Sequence, residues 1–165
     1  MQSHDQVLIA LRQIIRAIDL HSKKLEREAG LTGPQLLLMR VLQDEGAMTS
    51  SVLARSVSLS QATVTTILDR LETKRYLTRE RNTQDKKKVV VTLTESGVDV
   101  INSAPTLLQE CFINSFSDLK EWEQTLLLSS LQRVASMMNA SDLEAAPVLD
   151  SSEELLVKIV QNIEG

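Results

Sequence analysis

The 165 residues carry 42 % hydrophobic but only 2 % aromatic side chains, a net charge of −4 and one cysteine, which fits one domain, or two small intimate ones, around an aliphatic core of packed helices. One cysteine excludes an internal disulfide framework. No apolar run reaches the roughly 18 residues of a membrane span, and residues 1–6 lack the basic and apolar regions of a signal peptide, so the cytoplasm is the expected compartment.

In chain order, Val7, Leu8, Leu11, Ile14, Ile15, Ile18 and Leu25 recur at three- and four-residue steps and predict a long amphipathic helix over about 6–29. Gly30 follows as a C-cap. A second helix is expected from Thr32, its N-cap, with Pro34 in the first turn and Gln35 completing a capping box, as far as Asp44 and Gly46. A third, short helix follows Thr49 and carries Val52, Leu53 and Ala54. Ser60 caps a fourth, which reaches about Lys74. Residues 76–81 and 89–93 read as two strands of a ribbon, with the polar stretch 82–88 as its tip.

Thr94, Glu95, Ser96 and Gly97 open another helix, which Pro105 should kink or break near Ala104. A further helix is expected from Ser117 until Ala145, Ala146 and Pro147 end it and begin a linker. The tail predicts one last helix, with Ser151 to Glu154 as a capping box and Leu155, Leu156, Ile159, Val160 and Ile163 on one face. Such a short helix is marginal alone, so it is expected to dock on its own subunit or a partner.

The acidic total argues against a nucleic-acid partner, but the charge is unevenly placed. Residues 55–88 hold nine Lys or Arg against four Asp or Glu, a local +5, which leaves −9 on the rest. Phosphate binding responds to the local face and not to the total. Within this stretch, Val64, Ile67, Leu68 and Leu71 form the buried stripe expected of the fourth helix, leaving Gln61, Thr63, Thr66 and Arg70 opposite. Short hydroxyls and amides near a helix N-terminus, with a cation further along, suit a major-groove reader, and the amides following Ser60 attract a phosphate. An ordinary solvated face would look the same. The ribbon shifts the balance: Lys86, Lys87 and Lys88 sit at its tip, and Arg79 and Arg81 lie on the strand leading there. A lysine-guarded edge is the bland alternative, but its place just after a reading helix is that of a wing over duplex DNA. Asp85 is expected to position one of the lysines through an ion pair. The expected fold is therefore mainly α with a small β-hairpin wing, a winged helix-turn-helix.

These residues resemble the MarR family of transcriptional regulators. The matching positions are Leu31 to Gln35, Leu53 and Ala54, Leu59 and Ser60, Thr63 to Thr65, Leu68 to Glu72, Arg79, Asp85 and Leu93 to Gly97. The resemblance implies a homodimer of triangular outline, with the DNA-binding lobe at 31–94 flanked by dimerisation helices at 1–30 and 95–146, and with 147–165 as linker and short C-terminal helix. Two lobes would read a pseudo-palindromic operator in double-stranded DNA. Gln61, Thr63 and Thr66 would contact bases or phosphates, and Lys86 would be the wing-tip residue for the minor groove. Two departures stand out: Arg75 replaces the family's usual glycine after the reading helix, and lysines replace the wing arginines. The flanks, in residues 8–22, 122–124, 128–133 and 145–149, are similar to a subgroup controlling compatible-solute synthesis, the ectoine and betaine regulators. That implies a repressor of osmolyte synthesis or uptake genes that responds to osmotic conditions or a small-molecule effector. The alternatives are a redox-sensing or activating regulator, and a protein–protein adaptor on a winged-helix scaffold.

The resemblance also implies an effector held between the dimer core and the lobe. Arg16 and His21 are the pocket candidates, with a surface or dimer-contact role as the plainer reading. Tyr76, Phe112, Phe116 and Trp122 are too few for an aromatic cage within one subunit. Trp122 on its amphipathic helix reads as core. Cys111, between Glu110 and Phe112, reads as a buried, inert thiol. His4 and His21 have no metal-ligand spacing, no cofactor is expected, and no nucleophile elbow, phosphate loop or catalytic carboxylate pair supports an enzyme.

Overall fold

A computed structural model describes residues 2–152. Helix α1 spans Ser3–Ala29, starting earlier than its apolar pattern because Gln2 and Asp5 form a capping box. Gly30 ends it in the left-handed conformation at φ 64°. Only its last turns are buried, at Ser22, Leu25 and Ala29. Val7, Leu8, Ile14, Ile15 and Leu20 stay exposed.

Helix α2, Gly33–Glu45, has the expected capping box between Thr32 and Gln35, and Gly46 stops it at φ 85°. It buries Leu36, Leu38, Met39 and Leu42 at the centre of the molecule. Helices α3, Ser50–Ser56, and α4, Gln61–Thr73, follow under N-caps Thr49 and Ser60. The turn between them puts Ser58 at φ 54°. There Leu59 N–H reaches Ala54 O at 3.1 Å and Ser58 N–H reaches Arg55 O at 3.3 Å, the two bonds of a Schellman turn.

The sheet has three strands, not the two expected. Strand β1, Met48–Thr49, joins β2, Leu77–Arg81, and β3, Val89–Leu93, in the antiparallel order β1-β3-β2. Two residues are too few to show an alternating pattern, so β1 exists only through its pairing of Met48 with Val91 and Thr49 with Val90. Leu77 and Val91 turn inward onto α2 to α4.

Helix α5, Glu95–Ser103, starts at the N-cap Thr94. Thr94 N–H bonds Tyr76 O at 3.0 Å and its hydroxyl donates to Arg75 O at 2.7 Å, which hooks α5 to the turn after α4. Gly97 packs against that turn so closely that a Cβ would lie 2.1 Å from Tyr76 O. The chain breaks before Pro105, with Ala104 extended, and resumes as α6, Leu108–Ser117. Helix α7 is Glu121–Met137, shorter than expected. Asn139 at φ 52° closes it with Ala140 N–H on Ala135 O at 2.9 Å, a Schellman end that asparagine tolerates well. The chain then returns to the core, where Val148 is 4 % exposed. The tail-helix expectation beyond Ser152 lies outside the described residues. Among the described residues, no helix is long and apolar enough to cross a membrane.

Candidate nucleic-acid interface

Helix α4 buries Val64, Ile67, Leu68 and Leu71 completely. That fixes its opposite face as Gln61, Ala62, Thr65 and Asp69, with Thr66 half-buried at the margin. Thr63 is a correction. It lies at the flank of the buried stripe, 9 % exposed, with its hydroxyl 2.8 Å from Ser60 Oγ. Ser60 accepts the Thr63 N–H at 3.1 Å, so the pair is the helix cap, and only the exposed Ser60 remains near solvent. Thr65 and Ala62, absent from the sequence-based candidates, are exposed at this part of the helix. A 3.6-residue wheel centred on Val64, Ile67, Leu68 and Leu71 would have chosen them over Thr63. The Thr65 and Thr66 hydroxyls donate to Gln61 O at 2.9 Å and Ala62 O at 3.1 Å, and the oxygen of the exposed Thr65 can accept as well as donate.

Arg70 is exposed, but it lines a polar cleft with Asp19, Ser22, Lys23 and Glu26 of α1, Thr32, and Ser151 and Ser152. It therefore sits on the α1 side of the helix, apart from the Gln61–Thr65 stripe.

Arg79 is a second correction. Its Nε donates to Glu72 at 3.1 Å, and its Nη2 contacts Glu72 at 2.5 Å and Asp69 at 2.6 Å. The Glu72 hydrogen bond leads the effects that raise its pKa, followed against it by burial and with it by Asp69. Two carboxylates thus satisfy this guanidinium. It clamps β2 to α4 through Asp69 and Glu72 and is already paired within the chain.

The wing tip is a folded turn. Asn82 N–H reaches Lys88 O at 2.8 Å, Asn82 Oδ1 accepts from Gln84 N–H at 2.9 Å, and Asp85 Oδ1 accepts from Lys87 N–H at 3.2 Å. Asp85 Oδ2 also lies 3.7 Å from Lys88 Nζ, a solvent-exposed pair that contributes little to stability. The expected ion pair is therefore present, and the same carboxylate shapes the tip. Lys86 and Lys87 are exposed and form no ion pair among the described residues. Arg55, Arg75 and Arg81 are exposed in the same lobe.

Arg75 keeps the turn that usually takes glycine. It sits at φ 61°, with its N–H on Glu72 O at 2.9 Å and Tyr76 N–H on Leu71 O at 3.0 Å. Neighbouring Lys74 donates to Gly30 O and ties the end of α4 to the end of α1.

The effector candidates have structural partners. Arg16 lies 3.2 Å from Asp19 and lines a shallow groove with Arg12, Ile15 and Ile18. His21 Nε2 lies 2.7 Å from Thr106 O, which braces α1 against the α5–α6 connection. Cys111 and Trp122 are corrections of another kind. Both are exposed, Trp122 to 63 %, because α6 and α7 bury no residue within the single chain. Among the described residues, no cluster of His, Cys, Asp and Glu could hold a metal.

Comparison with known proteins agrees with this fold. Residues 31–89 match the MarR family. The HTH-type transcriptional regulator SarZ of Staphylococcus epidermidis is 32 % identical over 101 residues, covering 61 % of this chain and 68 % of SarZ. A crystal structure of a MepR-like protein complexed with pseudoligands superposes with TM-score 0.59 at 23 % identity, covering 84 % of this chain and 97 % of the other. The structure of reduced AbfR bound to DNA superposes with TM-score 0.51 at 26 % identity, covering 82 % and 93 %. The chain belongs to the MarR family and is a DNA-binding transcriptional regulator of winged-helix fold.

Proposed function

We propose that the protein is a homodimeric, sequence-specific repressor whose two lobes read a pseudo-palindromic operator in adjacent major grooves. The observation that carries this is the pairing, in one lobe, of the exposed Gln61–Thr65 face of α4, with Thr66 half-buried at its margin, and the exposed Lys86–Lys87–Lys88 tip. Gln61, Ala62, Thr65 and Thr66 present an amide, a methyl and two hydroxyls to base edges, while the amides after Ser60 face a phosphate. Lys86 enters or flanks the minor groove, and Lys87 and Lys88 hold phosphates. Lysine is more strongly hydrated than arginine, so the wing contributes attraction more than minor-groove sequence preference. AbfR bound to DNA supports the docking mode.

The dimer reading is supported by what one chain leaves uncovered. Val7, Leu8, Ile14 and Ile15 on α1, with Phe112, Trp122, Leu126 and Leu127 on α6 and α7, are exposed apolar side chains. An area of that kind marks a protein interface. It would also bury Trp122 and Cys111, which favours an ordinary contact role for the thiol. The MepR-like protein with pseudoligands supports an effector-responsive device. The flanking resemblance favours osmolyte synthesis or uptake genes as targets.

Sequencing the DNA recovered with the protein from its own genome tests these points together. Enriched pseudo-palindromes upstream of osmolyte genes are expected. Enrichment beside unrelated genes would remove the osmotic role. The absence of any shared motif would remove sequence-specific binding.

A further inference from the structure

Helix α1 is anchored at its C-terminal end. Leu25 and Ala29 are buried in the lobe, and Lys74 holds the Gly30 carbonyl. Two distant parts of the chain meet the helix further out. His21 contacts Thr106 O, beside the buried Leu107. Ser22 Oγ accepts the Ser151 N–H at 3.0 Å and donates to Ile18 O at 2.9 Å. Ser151 Oγ also reaches Asp19 Oδ1 at 3.5 Å.

The second brace is a folded segment, residues 146–152. Val148 is 4 % exposed within the main core, and Ser152 is 8 % exposed. Asp150 accepts from the Ser152 hydroxyl and from its N–H at 3.3 Å. Asp150 also lies against Gly33, the first residue of α2, where a Cβ would be 3.1 Å from its side chain. The segment therefore touches α1 on one side and the lobe on the other. Ser22 is about 12 Å from the anchored end at Gly30 by helical rise.

We infer that residues 146–152 form an intramolecular strap that sets the angle of α1 to the DNA-binding lobe, with Ser22, Val148 and Ser151 as positioning residues for DNA binding. Its consequence for DNA rests on the dimeric repressor reading. In that dimer α1 belongs to the shared core, so its angle to the lobe decides how far apart the two reading helices stand. A strapped lobe meets the operator already placed and loses less freedom on binding. The strap contains no Lys or Arg, so releasing it removes no phosphate contact.

The test places spin labels at His4→Cys and Lys86→Cys in the full chain carrying Cys111→Ser. Labelled chain is diluted with unlabelled chain, so the distance within one protomer is read in a monomer or a dimer. The strapped protein is expected to show one narrow distance. Ser22→Ala and Val148→Asp should each broaden it while the helical circular dichroism persists. In the unlabelled protein, both should weaken binding to a selected DNA site about five- to tenfold, at the low end of coupling between sites, with the salt slope unchanged. An unchanged narrow distance in Ser22→Ala overturns the strap, even if Val148→Asp fails to fold. A changed salt slope overturns the positioning role. A parent protein with no specific DNA site would defeat the repressor reading, and the distance alone would then decide the strap.

Discussion

Arg75 holds a left-handed position in a Schellman turn, and Gly97 holds the space beneath that turn. Arg75→Gly should raise stability by about 0.5–1 kcal/mol, the left-handed penalty less the entropy that glycine adds to the unfolded chain. Gly97→Ala should cost about 1–3 kcal/mol, because the new Cβ must displace backbone at Tyr76. Urea midpoints check both. If Arg75→Gly destabilises, the arginine has a role that its backbone does not reveal. On the reading helix, Thr65→Ala and Thr66→Ala should each change base preference at one operator position in a selection from random DNA. Thr63→Ala should instead lower helix stability and leave preference intact. The wheel of α4 separates these threonines, whereas their shared chemistry does not. Arg79 was similarly opaque: its basic neighbourhood suggested DNA, and only the fold brings Asp69 and Glu72 to it.

Among the elements, the wing and α1 carry the sharpest expectations. Lys86→Ala with Lys87→Ala should flatten the salt dependence of DNA affinity by about one to two units, near one per lost phosphate contact. An unchanged slope would place the tip off the DNA. On α1, a hydrogen bond from Lys23 leads the effects that hold Asp19 below the ordinary carboxylate range; burial opposes it, while Lys23 and Arg16 charges and Ser151 assist. A carboxylate depressed on folding stabilises the fold above its unfolded value, and that contribution is lost as pH falls through the depressed value. Asp19→Asn should therefore lower the urea midpoint near neutral pH, with the difference closing in acid. A difference that persists in acid would mean that Asp19 acts through packing. Most helix ends were legible, because Gly30, Thr32 with Gln35, Gly46, Thr49, Ser60 and Thr94 are strong local signals. Strand β1 and the early stop of α7 were not. The first depends on a partner more than 40 positions away, and the second on Asn139 entering a conformation that its neighbours do not announce.

At the scale of the whole molecule, the lobe closes its core within one chain, whereas the flanking helices leave apolar side chains exposed. Leu36, Leu53, Ile67, Leu77 and Val91 form a closed core. Leu126, Leu127, Leu128 and Leu131 of α7 form an apolar surface. Trp122 on its amphipathic helix and Cys111 between Glu110 and Phe112 were expected to be buried, and neither sequence signal says what would cover them. The same division explains how an acidic protein binds DNA, since the positive stretch at 55–88 is confined to the lobe. The measurement that bears most directly on this account is an anisotropy titration of a selected duplex and its scrambled counterpart over a series of salt concentrations. The account predicts two protomers per duplex, affinity for the selected site at least about a thousandfold above the scrambled one, and a steep loss of both with salt. Equal affinity for the two duplexes, or binding indifferent to salt, would contradict it.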